Sequence, residues 1–167
     1  MIRKLSSLII GTTFGIGFIP VASGTFASIS IALLWIGLPD YIFYNSFEKE
    51  IYYDNYSILL LIMIIFSYIC VYISKECEKI YGHDAKQIVI DEVIGYIFAC
   101  LFLPKTIMIA VYALILFRIF DILKPLYINK LQSLPHGWGI ISDDIAAGIT
   151  TNIILQILYR IKPNFFI

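Results

Sequence analysis

The 167-residue chain is 60% hydrophobic and only 14% charged, with a mean hydropathy of +0.87; soluble domains carry roughly a quarter charged residues, so this is not the composition of one. Basic and acidic residues number 12 each and cancel, which leaves no bulk charge to attract nucleic acid and no sign of an obligate protein partner. No linker, charge block or low-complexity stretch divides the sequence, so residues 1–167 are expected to form one membrane-embedded domain.

Arg3 and Lys4 precede an apolar run from Leu5 to Phe18. Thr12, Thr13 and the glycines Gly11, Gly15 and Gly17 interrupt that run, so it is expected to belong to the working protein rather than to a cleaved leader. The glycines suit either a backbone cradle for phosphate or close helix packing. A helix crosses hydrocarbon with roughly 20 apolar residues, and the uncharged run Tyr56 to Ser74 meets that requirement. Phe26 to Tyr44, Ile88 to Leu103, Thr106 to Leu123 and Ile145 to Ile161 are shorter or carry charge near one end. The fold predicted is all-α, a polytopic membrane helical bundle with about four to five spanning or membrane-embedded helices. The tyrosine-rich stretch Tyr41 to Tyr56 suits an interfacial anchor.

With the N-terminus in the cytoplasm, Arg3, Lys4, Lys75, Lys79, Lys86, Arg118, Lys124 and Lys130 fall inside, and Lys49, Lys105, Arg160 and Lys162 outside. The two-to-one division favours that orientation under the positive-inside rule. The polar residues near the spans then gather at the cytoplasmic face: Gly24 and Thr25, Asp91 and Glu92, Arg118, Asp121 and Lys124, Asp143 and Asp144, with His83 and Asp84 in an inner loop. Carboxylates at a hydrocarbon boundary cost a few kcal/mol each unless partnered, and cations are the natural partners.

Arg118, Asp121 and Lys124 recur at intervals of three and share a helix face before Pro125 ends the helix. Asp143 and Asp144 follow the glycine-containing stretch HGWG and read as the start of a helix, where Asp is a natural cap. IDEVIG and SDDIAAG echo each other: Asp91 and Gly95, like Asp144 and Gly148, stand four apart, placing a carboxylate one turn from a small residue that lets helices approach. Hard oxygen ligands of this kind suit magnesium, while arginine and lysine suit phosphate oxygens. The structural alternatives are helix capping, an intrahelical ion pair and solvated helix starts. Cys70, Cys77 and Cys100 form neither a disulfide framework nor a CxxC pair, and none is followed by arginine six residues on, so a nucleophilic cysteine is disfavoured.

Four blocks, GIGFIPVASGTFAS (Gly15 to Ser28), IDEVIGY (Ile90 to Tyr96), FRIFDILKP (Phe117 to Pro125) and HGWGIISDDIAAG (His136 to Gly148), together resemble the bacterial phosphatidylglycerophosphatase A family over most of the chain. Ser23 stands where that family usually has proline, and Ala27 where glycine is common. The resemblance implies a Mg2+-dependent phosphatase of the bacterial inner membrane, facing the cytoplasm and acting on a phospholipid in the bilayer. On this reading Asp91, Glu92, Asp121, Asp143 and Asp144 are catalytic, with Asp91, Glu92, Asp143 and Asp144 as metal ligands. Arg118, Lys124, Gly24, Thr25 and His83 bind the substrate, and magnesium-activated water attacks phosphorus in line, unless an aspartate is itself the nucleophile. The rival class is a small ion-coupled transporter using the acidic pairs as a cation relay, and a noncatalytic scaffold is a third reading.

Overall fold

A computed structural model describes residues 2–38 and 53–166. Among the described residues there are seven α-helices and no strands: α1 (Ile2–Gly11), α2 (Ser23–Gly37), α3 (Tyr53–Tyr81), α4 (Ile90–Cys100), α5 (Ile107–Leu123), α6 (Leu126–Gln132) and α7 (Gly137–Ile161). Residues 39–52, which hold most of the tyrosine-rich stretch and the end of the first predicted span, lie outside the described residues.

α3 runs 29 residues without a glycine or proline, about 44 Å at 1.5 Å per residue. Gly82 then ends it with φ +96, its N–H donating to the Glu78 carbonyl at 2.9 Å, a backbone conformation that glycine adopts without strain. Only 28% of the most apolar part of α3 is covered by the rest of the chain. Ile58, Leu61, Ile65, Tyr68 and Tyr72 face outward, as on a helix surrounded by lipid rather than one sealed in a soluble core. α3 and α7 are the two described helices long and apolar enough to cross a membrane. α2, α4 and α5, at 15, 11 and 17 residues, measure about 22, 16 and 25 Å against a hydrocarbon thickness of about 30 Å. As described, those three predicted spans are therefore too short for a full crossing.

α7 is the central element and packs against α3, α4, α5 and α6. It starts at Gly137, well before the predicted Ile145, because its early glycines serve contact rather than a turn. A Cβ at Gly137 would overlap the α3 backbone at Val71 and Lys75, and one at Gly139 would overlap the carbonyls of Gln132 and Leu134. Further along, a Cβ at Gly148 would overlap the Gly95 carbonyl, and one at Gly95 would strike the Phe117 ring and the Asp144 carbonyl. The two echoing motifs thus cross at their glycines.

Around this crossing Tyr96, Ala99, Ala113, Phe117, Ala147 and Leu155 form one buried cluster, and Cys70, Ile73, Ile94, Ile140 and Ile141 another. The Tyr96 hydroxyl donates to the Ala110 carbonyl at 3.0 Å. Asn152 on α7 donates from Nδ2 to the carbonyls of Ala99 (3.1 Å) and Leu101 (2.6 Å), which meets part of the unpaired end of α4. All three cysteines are buried and unbridged.

The segment after α1 is tied to the approach to α4. The Val89 N–H donates to the Gly11 carbonyl at 3.0 Å, the Ser23 hydroxyl donates to the Lys86 carbonyl at 2.8 Å, and Gly17 lies against the Gln87 carbonyl with no room for a Cβ. Gly11 and Gly17 therefore serve close packing, the second of the two uses their sequence allowed.

Candidate functional site

Asp91 and Glu92 lie in the first turn of α4, where the positive end of the helix dipole favours carboxylates. Asp144 lies in the second turn of α7, so the capping alternative for the Asp143–Asp144 pair does not hold: the residue before that helix is His136. The glycine crossing draws the two helix starts together until one carboxylate oxygen from each of Asp91, Glu92 and Asp144 lies within 4.8 Å of the others. Asp91 and Asp144 are buried, and Asp91 Oδ1, Glu92 Oε2 and Asp144 Oδ2 have no hydrogen-bond partner. Buried carboxylate oxygens left unpaired are costly, and three facing one another repel. A divalent cation removes both penalties, and an all-oxygen donor set is the kind that hard cations take.

The basic residues flank this cluster. Arg118, near the end of α5, reaches Asp121 Oδ2 at 2.6 Å and Glu92 Oε1 at 3.6 Å through the same guanidinium nitrogen. The i,i+3 pair predicted on α5 is present, and it also ties α5 to α4. Gly24 completes the contact, since a Cβ there would overlap the Glu92 carboxylate and come within 3.1 Å of the Arg118 guanidinium. Asp121 also stands beside Asp144.

Lys124 does not continue the row. It caps α5 in the left-handed conformation, φ 41, which turns its side chain off the Arg118–Asp121 face. Its Nζ meets Asp143 Oδ2 at 2.5 Å. Burial by itself would lower the lysine pKa, but the hydrogen bond to Asp143 and the charges of Asp143, Asp144 and Asp121 outweigh it and hold it above the ordinary lysine value. The ammonium is charged at neutral pH.

Of the sequence-predicted residues, Asp91, Glu92 and Asp144 converge, with Arg118, Asp121 and Gly24 in contact around them. Asp143, expected among the metal ligands, lies outside that cluster and holds Lys124 instead; its Oδ1 accepts from the Asp144 N–H at 3.1 Å. His83 is exposed in the loop after α3, paired with Glu78, and no described contact joins it to the carboxylates. Thr25 is half-buried in the first turn of α2, again with no described contact to them. Asn152 carries no mark in the sequence, and Ser23 is marked there only as a departure from the family's usual proline. Their roles depend on distant carbonyls.

The sequence profile of the Phosphatidylglycerophosphatase A family matches residues 9–159. A protein of Bacteroides thetaiotaomicron whose name puts it forward as a phosphatidylinositol-3-phosphatase is 30% identical over 155 residues, covering 90% of this chain and 91% of that protein. The phosphatidylglycerophosphatase A of Haemophilus influenzae is 29% identical over 162 residues, 92% of this chain and 91% of the relative. That of Escherichia coli is 32% identical over 148 residues, 87% and 78% respectively. No solved structure matches. Neither the profile nor these relatives support the transporter reading.

Proposed function

The chain belongs to the phosphatidylglycerophosphatase A family, and from that premise we propose that this phosphoric monoester hydrolase removes the terminal phosphate of phosphatidylglycerophosphate to give phosphatidylglycerol. The observation that carries the reading is the cluster of Asp91, Glu92 and Asp144 with their unpaired oxygens, set between two basic side chains at helix ends. A phosphate monoester needs that combination: its oxygens carry up to two negative charges that must be neutralised as the P–O bond breaks.

Asp91, Glu92 and Asp144 are assigned to hold magnesium. Bound there, the ion supplies Lewis-acid neutralisation of phosphate oxygens. Arg118 binds the phosphate through its guanidinium, kept in place by Asp121, and Lys124 adds a second positive charge, aimed by Asp143. Hydrolysis joins a water oxygen to phosphorus and breaks the ester P–O bond; the water gives up a proton and the leaving glycerol oxygen takes one. Water and an aspartate remain two distinct candidates for the attacking group, and trapping of phosphate on the protein separates them. Gly24 keeps the space against Glu92 and Arg118 open, while Thr25 and His83 are assigned to the lipid headgroup side.

The placement proposed is the bacterial inner membrane, with the chain multi-pass as a single domain and the site facing the cytoplasm. The outward apolar surface of α3 supports the membrane placement, and Arg3, Lys4, Lys75, Lys79, Lys86, Lys124 and Lys130, all expected on one side, support the cytoplasmic face. A phospholipid then keeps its tails in the bilayer while its headgroup reaches the carboxylates.

The test is phosphate release from phosphatidylglycerophosphate by detergent-purified protein, with and without magnesium, for wild type and Asp144→Asn. Magnesium-dependent release that disappears in the variant is the expected result; a folded wild type that releases no phosphate overturns the reading. Parallel assays on phosphatidylinositol-3-phosphate measure headgroup selectivity, which the Bacteroides relative's name makes the relevant comparison.

A further inference from the structure

Beside the Lys124–Asp143 pair, α6 and α7 enclose a groove of roughly 410 Å³ lined by Tyr127, Ala146, Ile149, Thr150, Ile153 and Ile154. The five α7 residues recur at helical spacing and make one stripe, and Asp143 stands three residues before Ala146 on the same face. The groove therefore begins one turn from the carboxylate that holds Lys124 and follows α7 for about 12 Å away from the site. Ile149 and Ile153 leave its side open.

The groove is apolar. Its two hydroxyls, Tyr127 Oη and Thr150 Oγ1, lie 2.9 Å apart, and Thr150 Oγ1 donates to the Ala146 carbonyl at 2.7 Å. With the threonine proton so used, the tyrosine is the donor between them. Both hydroxyls are satisfied internally, and the rest of the lining is hydrocarbon, which suits an apolar occupant and offers nothing to a headgroup.

We propose that this groove seats one acyl chain of the same phospholipid whose phosphate meets Arg118 and Lys124, an inference that rests on the phosphatase reading. Continuity identifies the occupant. A terminal phosphate at the Lys124 ammonium sets the acylated backbone glycerol one headgroup glycerol and one phosphodiester further along, toward the stripe, and a chain descending from that backbone glycerol enters between Tyr127 and Ala146. The groove then fixes the lipid's rotation about its long axis, and with it which face of the phosphate meets the carboxylates.

The experiment compares kcat/KM on dioleoyl and dihexanoyl phosphatidylglycerophosphate in one detergent, for wild type, Ala146→Phe, Ile153→Trp and, as reference, Ile64→Trp on the outward face of α3. The expected result is that the long-chain to short-chain ratio falls about tenfold in the two groove variants, the scale on which hydrophobic pockets discriminate, and stays at the wild-type value in Ile64→Trp. Ile153 is exposed, so its variant tests the groove even if Ala146→Phe misfolds, and short-chain turnover reports folding. A wild-type ratio in an active Ile153→Trp, or an equal fall in Ile64→Trp, overturns the groove proposal alone. A wild type that hydrolyses neither lipid removes the phosphatase reading and the groove with it.

Discussion

The carbonyl of Gly95 occupies the space that a side chain at Gly148 would need. That contact sets how closely α4 and α7 cross, and therefore how closely Asp91 and Asp144 stand one turn away. Gly148→Ala must push the helices apart. Overpacking of this kind costs roughly 1–3 kcal/mol, and a displacement of about 1 Å at a reacting site can cost about 10²-fold in rate. Thermal unfolding in detergent and phosphate release, measured together, are expected to show a modest loss of stability and a much larger loss of turnover. Equal turnover to wild type would mean that the crossing does not set the site.

Chelation should destabilise the protein as well as silence it, because removing a cation exposes three carboxylates to one another. Magnesium at a hundred times its dissociation constant should restore about 2.7 kcal/mol, read as a higher unfolding midpoint. Asp144→Asn should abolish that magnesium-dependent rise. A midpoint that does not respond to magnesium in wild type would argue against a metal at Asp91, Glu92 and Asp144.

Arg118→Lys keeps the charge but loses the planar guanidinium, one nitrogen of which stands between Asp121 and Glu92 and whose remaining donors are free to take phosphate oxygens. Hydrogen bonds to charged groups contribute about 1.5–3 kcal/mol, so KM should rise by one to two orders of magnitude. Asp121→Asn should cost roughly 10–100-fold in activity, as is typical of groups that orient ligands from behind. Steady-state kinetics at saturating magnesium checks both.

Lys124 gives a pH signature. Its folded-state pKa lies above the ordinary lysine value, so the pair's contribution to stability is fully present below about pH 10.4 and fades as pH rises through the higher folded value. The stability advantage of wild type over Lys124→Gln, followed by unfolding midpoints across alkaline pH, should hold level through neutrality and shrink only above the ordinary lysine range. An advantage already lost near neutral pH would show that Asp143 does not hold the ammonium.

The charged set was legible in the sequence because carboxylates and cations at a hydrocarbon edge must find partners. IDEVIG, SDDIAAG and FRIFDILKP announce by their spacing which carboxylates and cations share a helix face, and Gly95 and Gly148 announce the crossing. The start of α7 was not legible, since Gly137 and Gly139 carry the composition of a turn and only the α3 and α6 backbones beside them reveal a contact. Nor was the departure of Lys124 from the α5 face, which a left-handed cap imposes against the i,i+3 rule. Asp143 and Asp144, adjacent in sequence, separate for the ordinary reason that consecutive helical residues point about 100° apart.

Asn152, described above only as a clasp on the last carbonyls of α4, alters what that helix can be. A helix of about 16 Å entering a bilayer at one edge ends inside hydrocarbon, where bare carbonyls have no water to turn to. In the membrane placement proposed above, the Asn152 amide takes up the Ala99 carbonyl and that of Leu101 just past the helix, while the N–H groups of Leu101 and Leu103 take up those of Phe98 and Cys100, so α4 can stop in mid-membrane and hand the chain to α5. The positive pole of that half-helix then remains at the surface beneath Asp91 and Glu92, so a single amide on α7 helps anchor, from the far end, the element that presents the acidic cluster.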